Sequence, residues 1–305
     1  MVRVAVEARN PADAQRAERI IAGEFDRLVA EFNRDDPASL MRRWIADPSV
    51  ATSSEFDDML AVALRWQQLS EGVFNVSTHQ LQQVWARAAL DGCRPSAGQL
   101  RDITTEIARA PYRFDGHRPR QVAHCGGIDL GAIIPGFILD CAFDAAWRLC
   151  DLGALTVWTK HRARHRGSVP MSEPLAHPNE RLRRRLATLE VADGAVVVRD
   201  SSRTRDVFDP RSGIPVLGPP TAAIVSPCAT TGDALATVLA LQTVGEGEEF
   251  VETLNARSAR SGSAASNAEA TIGPIRCWWF DESGRDLGAA DSSHRTGDKV
   301  RRRVV

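Results

Sequence analysis

The sequence predicts a mixed α+β fold, and three observations predict it. Apolar residues recur at helical spacing through the first part of the chain. Short β-type runs then alternate with helical stretches from about Thr105 onward, and an Asp193-Gly194 pair sits inside a run of β-branched residues. Element by element, Met1 to Arg9 reads as a first β-strand. Asn10 can cap a helix with Pro11 at its first position, and Ile21, Phe25, Leu28, Val29 and Phe32 line one face. A second helix begins at Ser53 or Ser54 and runs to about Leu69, with Phe56, Met59, Leu60, Ala63 and Leu64 inward, until Ser70-Glu71-Gly72 stops it. Residues 76–90 form a third, carrying Leu81 and Trp85.

Thr105 to Arg113 and Gln121 to His124 have strand character, and Gly126 to Gly131 is a tight turn. A helix follows Pro135, burying Ile138, Cys141, Ala142, Ala145 and Leu149. Leu155 to Thr159 is a short strand, and Val191 to Val198 reads as a hairpin with a type I′ turn at Asp193-Gly194. Ala222 to Val225 is another strand, Gly232 opens a helix through Leu241, Glu246 to Leu254 is one more, and Pro274 to Asp281 is a late strand. Beyond Ser283 the chain turns polar and ends in Lys299-Val300-Arg301-Arg302-Arg303. The expected organisation is therefore a domain over residues 1–282 and a frayed tail over 283–305.

Composition narrows the function classes. A chain of 305 residues with 43% hydrophobic residues has enough apolar content for an ordinary core, in one large domain or two. A formal net charge of -1 supplies no bulk attraction to nucleic acid or anionic membrane. No apolar stretch reaches the length of roughly 20 residues that a membrane span needs. Glu7 stands where a signal peptide would need an apolar core, so the chain as written reads as cytoplasmic. The six cysteines show no CxxC or CxxH spacing, which argues for buried thiols rather than a zinc site or disulfide framework. His79, His117, His124 and His177 are available for a hydrolase, but no GxSxG nucleophile motif accompanies them.

Three segments carry candidate chemistry. In Thr231-Gly232-Asp233-Ala234-Leu235-Ala236-Thr237, Asp233 and Thr237 are four apart and share a helix face. A carboxylate and a hydroxyl so placed offer two hard oxygen ligands to Mg²⁺. The alternative is that Asp233 complements the helix dipole while Thr237 bonds a carbonyl one turn back. Ile128 to Asp140 is a turn feeding a helix start, whose exposed amides suit phosphate, with Asp129 as a capping residue in the plainer reading. Phe208-Asp209-Pro210-Arg211-Ser212-Gly213-Ile214-Pro215 is β-turn chemistry in which Arg211 can meet a phosphate or water.

In this order and spacing, with Ser70-Glu71-Gly72-Val73-Phe74-Asn75 before them, these segments resemble the FAD:protein FMN transferases, the ApbE-like flavin transferase family, over residues 4–282. The resemblance implies an ApbE-like fold with antiparallel-rich sheets and packed helices. It also implies an Mg²⁺-dependent reaction that cleaves FAD at its pyrophosphate, attaches FMN to a Thr or Ser hydroxyl of a target flavoprotein and releases AMP. Asp233 becomes the catalytic residue. Asp233 and Thr237 become metal ligands, assisted by the carbonyls of Ala236 and Ile134. Ser70, Gly72, Asp129, Gly131, Gly136 and Asp209 fall at flavin-side positions. A segment upstream of Met1 would shift the expected compartment to the periplasm.

The chain also departs from the pattern. Pro135 stands where the family has lysine, and Asp206 where it has histidine. The Gly-Gly-Asp loop is Trp158-Thr159-Lys160-His161, and the Thr-Ser-Gly segment is Val198-Arg199-Asp200. Lys160, His161, Arg162, Arg164, His165 and Arg166 form a basic run at the lost loop, either reaching the FAD phosphates in place of the missing lysine or making a solvated loop. A second basic cluster lies at Arg181, Arg183, Arg184 and Arg185. Two further readings stay open: a relative that binds FAD or a partner without turnover, and a polyphosphate or nucleic-acid binder working through the basic clusters.

Overall fold

The exposed and half-buried residues of Arg3–Ala8 alternate, as a strand with one face inward requires, and form β1. The computed structural model to which it belongs describes residues 1–115, 118–122, 127–176, 185–199, 207–216, 220–261, 273–281 and 283–291. Helix α1 (Pro11–Glu31) starts where Asn10 Oδ1 accepts the Asp13 N–H at 2.8 Å. Ser39 caps α2 (Leu40–Ala46) and Ser53 caps α3 (Ser54–Leu69) in the same manner. After α4 (His79–Leu90), a reciprocal Ser96–Gln99 capping box opens α5 (Ala97–Ala108). The chain continues through β2 (Tyr112–Asp115), β3 (Arg118–Gln121), α6 (Ile134–Leu149), β4 (Leu152–Thr159), β5 (Arg162–Ala176), β6 (Arg185–Arg199) and β7 (Thr221–Ser226). It ends with α7 (Ala229–Leu239), α8 (Val244–Ser261), β8 (Arg276–Phe280) and β9 (Asp286–Asp291).

The chain forms two compact units. The first comprises Met1–Asp26, Pro135–Arg203 and Gly218–Val305. Among the described residues its seven strands run in the order β1-β4-β5-β6-β7-β8-β9, each antiparallel to its neighbours. One core cluster joins Leu155, Val157 and Ala195 of the sheet to Ala17 and Ile21 of α1 and to Leu139, Ala142, Phe143 and Ala146 of α6. A second gathers Ala163, Val196, Ala223, Val225, Trp278 and Phe280 with Met171, Leu175, Leu189 and Val191. Helix α7 lies so close to β6 that a Cβ on Gly232 would come within 2.4 Å of Val197 Cγ2. Glycine at 232 is therefore the condition for that packing.

The second unit comprises Arg27–Ile134 and Thr204–Leu217. Leu81, Ile103, Ile107 and Phe208 form one of its cores, with Trp85 packed alongside and its Nε1–H donating to the Gly213 carbonyl at 2.8 Å. Trp44, Phe56 and Tyr112 form an aromatic cluster with ring centroids 5.1–6.0 Å apart.

Several expectations are corrected. Thr105–Ala108 is helical, because the capping box at Ser96 starts a helix whose Ile103 and Ile107, one turn apart, are both buried. No hairpin turns at Asp193-Gly194: β6 runs straight through, with Asp193 opposite Arg166 and Gly194 opposite His165. Gly194, at φ +152°, lets β6 pass where a Cβ would stand 2.7 Å from the Ser226 carbonyl oxygen. The basic run is no loop, since from Arg162 onward it is strand β5. Val29 and Leu149, expected inward, are more than half exposed, and Cys93 is exposed. The polar stretch after Ser283 first makes β9, paired to β8 with Ala290 buried. Cys125, His117, His124, His177, Asp200, Asp206, Arg181, Arg183 and Arg184 lie outside the described residues. Among the described residues, no helix is long and apolar enough to cross a membrane.

Candidate functional site

In the first unit the candidate site is built where α6 and α7 cover β5 and β6. The Ala229 and Thr230 N–H groups at the start of α7 donate to the Asp140 carboxylate at 2.9 and 2.7 Å, as does the Thr230 hydroxyl. Asp140 comes from α6, so this cap fixes one helix against the other. Burial pushes its carboxyl up, while Arg164 and the α7 donors pull it down. The Arg164 guanidinium lies over the Phe143 ring at 4.9 Å and also reaches Asp193 at 3.2 Å.

Asp233 is the centre of the site, with 2% of its surface exposed. The Gly136 N–H donates to its Oδ2 at 2.8 Å, and Arg162 Nε lies 2.7 Å from Oδ1 and 2.8 Å from Oδ2. The main-chain contact requires glycine: a Cβ on residue 136 would stand 2.7 Å from Asp233 Oδ2 and 2.6 Å from the Ala229 oxygen. Burial pushes the Asp233 carboxyl up to about 6, against the pull of Arg162 and the Gly136 N–H, so at neutral pH it is ionised. One turn on, the Thr237 hydroxyl donates to the Asp233 carbonyl at 3.3 Å and accepts from Arg199 Nη1 at 3.0 Å.

The two arginines follow from strand register. Arg162 stands opposite Val197 in the β5–β6 pair, and Arg199 is two residues beyond Val197 on the same face. Such diagonal neighbours are roughly 7–8 Å apart. Residues four apart on a helix rise by about 6 Å, so the arginine pair matches the Asp233–Thr237 pair rung for rung.

The divalent ion implied by the resemblance does not fit this arrangement. Mg²⁺ demands near-octahedral oxygen ligation at roughly 2.0–2.1 Å. Both Asp233 oxygens instead face one guanidinium, and the Thr237 hydroxyl faces another. The Ala236 carbonyl accepts the Ala240 N–H at 3.3 Å. Among the described residues no three His, Cys, Asp or Glu side chains gather to hold a metal.

Ile134 closes the second unit, its N–H donating to the Leu130 carbonyl at 3.1 Å. In that unit Asp129 is a hub, accepting from Arg34 at 3.3 Å, Thr78 at 3.1 Å, Gln82 at 2.6 Å and the Gly131 N–H at 3.0 Å. Arg34 also meets His79, whose ring burial and the arginine charge keep below the usual histidine range. The Ser70 hydroxyl donates to the Trp66 carbonyl and accepts the Phe74 N–H at 2.9 Å, and Gly72 takes φ +84° in the turn between them. Asp209 accepts from the N–H and Nε of Arg211, both at 2.9 Å, a local turn that leaves Arg211 largely exposed.

The structure thus brings Gly136, Asp233, Ala236 and Thr237 together in one unit, and joins Asp129 to Gly131 in the other. Sequence reasoning placed Arg162 in a basic run that could reach the FAD phosphates and Arg199 in a lost motif, but paired neither with Asp233 or Thr237. It missed the roles of Asp140 and Arg164 altogether. Period-2 spacing of Arg162, Arg164 and Arg166 was the available signal, since it puts all three on one strand face.

The model of the ApbE family matches residues 1–259. Similar solved structures include the ApbE protein of Thermotoga maritima, at 20% identity and a TM-score of 0.74, over 96% of this chain and 94% of that one. The flavin transferase ApbE of Vibrio cholerae matches at 16% identity and a TM-score of 0.73, over 96% and 94% of the two chains. The apo form of the Pseudomonas stutzeri flavinyl transferase ApbE matches at 16% identity and 0.72, over 94% and 90%. These likenesses establish the expected fold, with helices packed on an antiparallel sheet. No curated protein matches the sequence.

Proposed function

Because the chain belongs to the ApbE family, we propose that it acts on FAD as a flavin transferase, passing FMN to a Thr or Ser hydroxyl of a target flavoprotein. In that reaction the acceptor oxygen bonds to the FMN phosphorus, the pyrophosphate bond breaks, and AMP leaves with the bridging oxygen. The proton of the acceptor hydroxyl is released to solvent, which balances the step. Two solved structures of similar fold carry the names flavin transferase and flavinyl transferase, which supports the class of reaction.

The observation that carries the reading is the buried junction of Asp233, Gly136 and Arg162. Holding an ionised carboxylate at 2% exposure costs stability that a purely architectural helix–strand contact does not require. Asp233 acts here by positioning Arg162 beside the reacting diphosphate. No step is assigned to a divalent ion, because its side-chain ligand oxygens, on Asp233 and Thr237, are already engaged by guanidinium groups.

A second reading is favoured by Pro135, which leaves the start of α6 without the lysine expected from the resemblance: the chain binds FAD without turnover. One assay separates the two. The protein is incubated with FAD and a target flavoprotein, and covalent flavin on the target and free AMP are followed together. The transferase reading expects both in equal amounts, and their loss in Asp233→Asn. Bound FAD with neither product establishes the binding-only reading.

A further inference from the structure

We infer that Arg162 and Arg199 take the place of a divalent ion in this chain, forming a metal-independent diphosphate site whose geometry is set by Asp233 and Thr237. The inference deepens the flavin-transfer reading and rests on it for the identity of the nucleotide.

Three observations lead to it. First, the side-chain oxygens that would ligate a metal meet guanidinium donors at hydrogen-bond distance, so a metal at Asp233 would have to displace a cation from a carboxylate that is 2% exposed. Second, the two arginines are diagonal neighbours on one sheet face, and their partners are one turn apart on the facing helix. The charges are thus spaced by strand register and helix pitch together, rather than by flexible side chains. Third, Arg162 spends only its Nε on Asp233. Its side chain is 19% exposed, and its two terminal nitrogens have no hydrogen-bond partner among the described residues.

A guanidinium pinned at Nε by a buried carboxylate presents its terminal N–H groups in a fixed plane, the geometry that meets two phosphate oxygens at once. Arg164, the next inward arginine of β5, does not share this role. Its partners Asp140 and Asp193 and the Phe143 ring occupy it, and it is almost fully buried.

The test titrates the full-length protein with inorganic pyrophosphate and, separately, with FAD, each in EDTA and in excess Mg²⁺, reading heat of binding and flavin fluorescence. The inference expects pyrophosphate to bind in EDTA, with an affinity changed by no more than about twofold on adding Mg²⁺, and to weaken at least about tenfold in Arg162→Gln, one decade per lost charge-assisted contact. Arg162→Gln strands a buried carboxylate and can unfold the chain. The double variant Arg162→Gln/Asp233→Asn, which strands none, serves as the folded control and is expected to lose pyrophosphate equally.

Pyrophosphate binding in EDTA without FAD binding upholds the arginine site and overturns the flavin reading. Binding of pyrophosphate only when Mg²⁺ is present, or under no condition, overturns the inference. So does unchanged affinity in a folded double variant.

Discussion

Asp233 in the first unit and Asp129 in the second are both carboxylates of recognisable motifs, and both meet an arginine, yet they are built for different ends. Asp129 accepts from an arginine, a hydroxyl, a side-chain amide and a backbone N–H, so its lone pairs are saturated and it ties a loop to a helix. Asp233 takes one backbone N–H and one guanidinium nitrogen, and the guanidinium keeps unengaged donors. The first arrangement consumes the charge of its partner, while the second orients it. A motif carboxylate is thus better understood by what its partner has left to give than by its own position in the sequence.

The largest effect expected in breaking this comparison falls on neither carboxylate but on the cap beneath Asp233. Asp140→Ala removes the acceptor of two α7 amides and a hydroxyl and leaves the buried Arg164 with Asp193 as its one remaining carboxylate partner, and should cost about 3–5 kcal/mol in urea unfolding. A loss below about 1 kcal/mol, the level of an ordinary exposed pair, would mean the cap is not what holds the site.

Next comes pH. The folded Asp233 carboxyl takes up its proton at about 6, the unfolded one near 3.8, so the folded state binds the extra proton between those values. Measured against Asp233→Asn, wild-type stability should therefore rise as the pH falls from 6 towards 4, by an amount on the order of 3 kcal/mol, and this gain should be absent above pH 7. A difference that is flat with pH would show that Arg162 fully offsets the burial.

Asp129→Asn sharpens the contrast at a smaller scale. It keeps an acceptor oxygen but puts an amide among donors, and should cost about 1–3 kcal/mol without altering pyrophosphate affinity. A loss of pyrophosphate binding in a folded Asp129→Asn would move the phosphate role to the second unit. Smallest of all, Arg211→Ala at the exposed Asp209 turn should change stability by no more than about 0.5 kcal/mol, readable as an unshifted melting curve.

Much of the fold was legible because local chemistry decided it. Ser53 and Asn10 capped the helices where their side chains were expected to, and Gly72 turned the chain after Leu69. The Asp193-Gly194 reading failed because a dipeptide that favours a turn alone is held extended when a neighbouring strand, here β5, pairs with both of its residues. The candidate site was legible only in half. Asp233 and Thr237 announce themselves by helical spacing, but Arg162 and Arg199 lie 71 and 38 residues from them. Only the pairing of β5 with β6 brings those charges to the helix, and register across a sheet is not written in any single segment.

The central claim is that Asp233 engages a guanidinium where the resemblance implies a metal. Crystals of the protein soaked with FAD and Mn²⁺, with diffraction collected at the manganese absorption edge, test it most directly. The account predicts no anomalous peak at Asp233, Arg162 Nε still against both carboxylate oxygens, and diphosphate oxygens on the arginine's terminal nitrogens. A manganese peak ligated by Asp233 and Thr237, with Arg162 displaced from the carboxylate, would contradict it.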